Sequence, residues 1–114
     1  MKKEKIFHCR THKTGPTTPV TVHFQRYLQN GTLRVSMNCA GPPWVPHSVI
    51  TVNLMDTEHQ DERHAYVDVN NCPWAEEFLL DNKIARKTEV TMKSGFCTYP
   101  LYEFDLDSKW SEEE

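Results

Sequence analysis

The chain has 114 residues, of which 38% are hydrophobic and 25% charged, and its 13 Lys and Arg against 16 Asp and Glu give a net charge of −3 and a pI near 6.1. That length suits one domain with its own core, and the apolar and aromatic content excludes a disordered chain. No apolar run approaches the roughly 20 residues of a membrane helix, and the acidic balance argues against a surface built around a nucleic-acid backbone.

At the start, basic Lys2, Lys3 and Lys5 are followed by polar His8-Cys9-Arg10-Thr11-His12, where a signal peptide would need an apolar stretch. The expectation is a cytoplasmic protein whose four cysteines stay reduced. Next, Asn30-Gly31 is the pair preferred in a two-residue type I′ turn, and alternating residues flank it on both sides. A two-residue loop would set Leu28 opposite Leu33, Phe24 opposite Met37 and Val22 opposite Cys39. One face would then hold Val20, Val22, Phe24, Leu28, Leu33, Val35, Met37 and Cys39.

Gly41-Pro42-Pro43 ends that hairpin. Ser48–Leu54 reads as a strand with Ile50, Val52 and Leu54 inward, and residues 56–64 read as an exposed polar loop. Ala65–Val69 reads as a short strand. A helix should start near Asn71-Cys72-Pro73, carry Trp74, Ala75, Phe78 and Leu79 on its inner stripe, and stop at Asp81-Asn82-Lys83. Thr88–Lys93 and Phe96–Leu106 complete the strands, with Pro100 calling for an edge or a bulge. If the last strand is an edge, it could pair with a second copy. The expected architecture is α+β: a mostly antiparallel sheet of about six strands with one short helix on one face. On this reading residues 1–107 should form the single domain and 108–114 a flexible acidic tail.

Chemistry-bearing residues are sparse. Cys9 and His12 have half of a zinc spacing, but Cys39, Cys72 and Cys97 supply no second pair, so no metal is expected. No nucleophile elbow, phosphate loop or dinucleotide fingerprint occurs, and the reading leans away from an enzyme and from any cofactor. Asn53, Asp68, Asn70 and Asn71 fall at predicted strand ends and form a candidate polar-ligand site; turn capping is the simpler role for them. Trp44, in a rigid Pro-rich loop, and Tyr99 and Tyr102 form a candidate partner surface. Lys83, Arg86, Lys87 and Lys93 form a basic run after the helix.

Three motifs carry a family resemblance. Ile50-Thr51-Val52-Asn53-Leu54, Tyr66-Val67-Asp68-Val69-Asn70-Asn71-Cys72-Pro73 with Glu76-Glu77-Phe78-Leu79, and Ser94-Gly95-Phe96-Cys97-Thr98-Tyr99-Pro100-Leu101-Tyr102-Glu103-Phe104 resemble a small bacterial family, domain-of-unknown-function family 4313. The likeness covers roughly Val20 to Leu106. It implies an accessory protein of plasmids or conjugative elements that acts on a host or plasmid protein, and it carries no catalytic role onto any residue. The leading reading is therefore a non-enzymatic protein-binding module. The alternatives are a small metal-dependent or polar-ligand enzyme using the Asp68/Asn70 region, and a nucleic-acid binder through Lys83–Lys93.

Overall fold

The computed structural model describes residues 2–12, 14–40, 45–106 and 111–113. Its strands are β1 (Lys2–Glu4), β2 (Phe7–Cys9), β3 (Thr18–Arg26), β4 (Leu33–Cys39), β5 (Pro46–Val49), β6 (Thr51–Val52) and β7 (His64–Val67). One helix, α1 (Ala75–Asp81), follows, then β8 (Ala85–Ser94), β9 (Cys97–Phe104) and β10 (Ser111–Glu113). The fold is α+β with antiparallel sheets. Eight of the strands divide into two four-stranded sheets, ordered β2-β3-β4-β5 and β6-β7-β9-β8, while β1 pairs with β10.

The division into two sheets has a single-residue cause. Ser48–Leu54 is not one straight strand, because the chain changes sheets at Ile50. The Ile50 N–H donates to the Val35 carbonyl in the first sheet (3.0 Å), and the Ile50 carbonyl accepts from the Asp68 N–H beside the second (2.9 Å). Thr51, expected outward, is buried for the same reason: its hydroxyl accepts the Val35 N–H at 3.1 Å and meets the Tyr27 hydroxyl at 3.1 Å. A strand that turns such a corner carries the core across both sheets.

The β3–β4 hairpin keeps the expected inward parity but is shifted by two residues. Val22 faces Met37, Phe24 faces Val35, Arg26 faces Leu33, and the Tyr27 N–H closes the loop onto the Thr32 carbonyl at 2.8 Å. The loop holds four residues, so Leu28 stands at its tip, 99% exposed rather than inside. A type I′ turn needs positive φ at both central residues. Here Gly31 has φ 70, whereas Asn30 is not among the positive-φ residues. Asn30 instead uses its side chain, as described below.

The core packs Val20, Leu33, Val35, Met37, Ile50 and Phe104 against α1. The helix lies between the two open sheet edges. Phe78 meets Phe7 of β2 edge-on at 6.1 Å, and Glu76 accepts from the Tyr102 hydroxyl (2.6 Å) and pairs with Lys87 of β8 (2.9 Å). Burial pushes the Glu76 carboxyl up, but those hydrogen bonds and the Lys87 charge outweigh it and hold it low. The helix starts two residues later than expected, with Trp74 as N-cap. Its end follows a Schellman pattern: the Ile84 N–H reaches the Leu79 carbonyl (3.0 Å) and the Lys83 N–H the Leu80 carbonyl (3.2 Å). The left-handed residue of that motif is Lys83, with φ 57.

β9, which covers the strand expected over Phe96–Leu106, is internal, between β7 and β8, not an edge. Pro100 has no N–H for a regular ladder. The register with β8 shifts between Lys87 and Thr91 at that point, as a bulge would produce. The edge is β8, and exposed Lys87, Glu89 and Lys93 together with the bulge guard it against strand pairing. Its hairpin with β9 turns on Gly95 (φ 63) and Phe96, which places Phe96 in solvent rather than in the strand expected to begin with it.

Candidate functional site

The structure separates the residues of the polar-ligand site. Asn53 lies past one end of the β6–β7 pairing and Asp68 past the other. Asp68 and Asn71 do meet, as a turn cap: the carboxylate accepts the Asn71 backbone N–H (3.2 Å) and side-chain amide (2.9 Å). Asn70 is exposed, with no side-chain bond among the described residues. Asn53 joins a different cluster. Its amide and that of Asn30 exchange hydrogen bonds at 3.1 and 3.3 Å, and it also accepts from Gln60 at 3.0 Å.

Gln60 is the residue that sequence reasoning missed in that cluster. Only 5% exposed, it accepts the Leu54 N–H (2.9 Å) and donates to Thr32 (3.2 Å) as well as to Asn53. Nothing in a run of polar residues distinguishes the one that turns inward. The neighbouring loop is equally tied down. Asp56 accepts from the Tyr66 hydroxyl (2.6 Å), from His59 Nδ1–H (2.8 Å) and from the Glu58 and His59 N–H groups. Those bonds, led by Tyr66, hold the Asp56 carboxyl at about 2. Asp56, Glu58 and His59 also form a grouping of metal-capable atoms within 4.8 Å, but the Asp56 oxygens are already engaged by the loop.

The partner surface is corrected in two of its three members. Tyr99 and Tyr102 are buried, Tyr102 with its hydroxyl on Glu76, because both lie on an internal strand. Trp44 lies outside the described residues. Cys9, half of the considered zinc spacing, is a core residue; burial, and then the nearby Cys72, pushes its thiol up to about 11.

A concavity of about 470 Å³ lies elsewhere, between the last turn of α1 and the paired ends of β8 and β9. Backbone bonds fix its walls: the Phe104 N–H donates to the Arg63 carbonyl (2.8 Å) and the Asp105 N–H to the Ile84 carbonyl (3.1 Å). Its apolar surface comes from Leu80, which is 47% exposed, above the buried Ala85 and Phe104. The rim is charged. Glu103 accepts from Arg86 Nε and has His64 Nε2 at 3.7 Å, so its charge is already shared. Lys83 and Asp105 stand on the same rim and make no ion pair among the described residues.

Two of the four residues in the basic run are therefore neutralised, Arg86 by Glu103 and Lys87 by Glu76. Lys83 and Leu80 were the more informative residues. Leu80 interrupts the polar helix face of Glu77 and Asp81, a break that the helical period makes visible. No helix among the described residues is long and apolar enough to cross a membrane. A family model described as a domain of unknown function, DUF4313, matches residues 21–113. No curated protein and no solved structure matches the chain.

Proposed function

The chain belongs to the DUF4313 family, whose description assigns no activity, and on that premise we propose that it is a non-enzymatic binding module that holds a partner protein in the groove beside the end of α1. The observation that carries this reading is the contrast between the groove and the other polar clusters. Asp56, Asp61, Asp68, Glu76, Asn53 and Gln60 all spend their hydrogen-bonding capacity on this chain's own backbone and side chains. The groove combines the half-exposed Leu80 side chain with Lys83 and Asp105, which make no ion pair among the described residues, a pairing of apolar and charged surface suited to recognition. The partner is a host or plasmid protein in the cytoplasm, the setting that the resemblance to mobile-element accessory proteins implies.

The test is capture by the immobilised chain, comparing wild type with Leu80→Glu. Leu80 is half exposed, so the variant should fold, and an unchanged melting temperature would establish that it does. A partner retained by wild type and lost by L80E supports the reading; equal retention overturns it.

A further inference from the structure

Resting on that reading of the groove, we infer that its ligand is the C-terminal residue of a partner polypeptide, an aliphatic side chain with a free carboxylate. Lys83 is the first reason. It occupies the left-handed position of the Schellman motif (φ 57), where glycine is the unstrained choice. The helix C-terminus favours a cation, which offsets part of that strain. Yet Lys83 forms no ion pair among the described residues, so its ammonium is available to an anion.

The groove's other groups say which anion. Glu103 is already paired with Arg86, and Asp105 on the rim would repel a multiply charged phosphate or a nucleic-acid backbone, while a single negative charge suits the one Lys83 ammonium with Arg63 nearby. The apolar surface adds a requirement that a bare anion does not meet. Leu80 in the last turn of α1 and Lys83 just past its end are three residues apart, so one ligand residue must offer apolar surface and charge together. A chain-terminal aliphatic residue does so. Asp105 supplies an acceptor for peptide N–H groups of the residues preceding it.

The experiment is a titration of the full chain, followed by backbone amide shifts, with N-acetyl-leucine, with N-acetyl-leucinamide and with the internal acidic probe N-acetyl-Leu-Glu-Leu-amide. The free acid should shift amides at Leu80, Lys83 to Arg86 and Glu103 to Asp105, and bind roughly fivefold more tightly than either other probe, a preference that salt weakens. Lys83→Gln should erase the preference for the acid, and Leu80→Ala should weaken acid and amide equally. Equal binding of acid and amide, tighter binding of the internal probe, shifts confined to another surface, or no binding up to about 20 mM would each overturn the inference. Such a failure with L80E still abolishing capture would leave the groove as the binding surface; intact capture by L80E would remove the groove reading itself.

Discussion

The polar cluster beneath the β3–β4 turn and the groove beside α1 draw on the same kinds of side chain and put them to opposite uses. In the first, Asn30, Thr32, Asn53 and Gln60 satisfy one another and the Leu54 N–H, and Gln60 is buried. In the second, the side chains of Lys83 and Asp105 make no ion pair among the described residues, and Leu80 keeps half its surface in water. A polar group answered internally ties the fold together; one left unanswered beside apolar surface is available to something else.

That contrast can be broken by substitution. Gln60→Leu should have the largest effect: it removes three bonds and leaves the Leu54 N–H without its acceptor, a loss of about 2–4 kcal/mol by urea denaturation. A wild-type midpoint would show that the cluster is not structural. Asn30→Ala, at a half-buried position, should cost about 1–2 kcal/mol by the same measurement, and titration of the groove should be unchanged in both variants.

Asp56→Asn keeps an acceptor oxygen, so its mark should appear in acid. The Asp56 carboxyl is held at about 2 from an ordinary 3.8. Its contribution is therefore fully present above about pH 4 and lost as pH falls through about 2. Melting curves across that window should show wild type losing stability more steeply than D56N; parallel curves would mean that the Tyr66 and His59 bonds do not favour the ionised form.

Much of this was legible in the sequence. Alternation in β3 and β4 gave the correct inward faces, and Pro73 with the Phe78/Leu79 stripe gave the helix, because burial imposes periods of two and 3.6 directly on residue type. Register was not legible. A shift by two preserves every face, and only the Tyr27–Thr32 closure, with Asn30 reaching Asn53, distinguishes the alternatives. The sheet change at Ile50 was hidden for a related reason: a strand that turns a corner keeps its apolar residues, and only its backbone partners change. The polar-ligand residues looked adjacent because they share strand ends, but an antiparallel pairing has two ends, and Asn53 and Asp68 took one each. Of the groove, Lys83 was visible as part of a basic run, while its left-handed backbone and the absence of an ion pair to it among the described residues needed coordinates.

The account depends on Lys83 standing where it does for a reason other than stability. Urea denaturation of Lys83→Gly tests this most directly: relief of the left-handed strain should raise stability by about 0.5 kcal/mol. A fall of about 1 kcal/mol or more would mean that the lysine side chain supports the fold, and the groove would lose the group on which its proposed ligand depends.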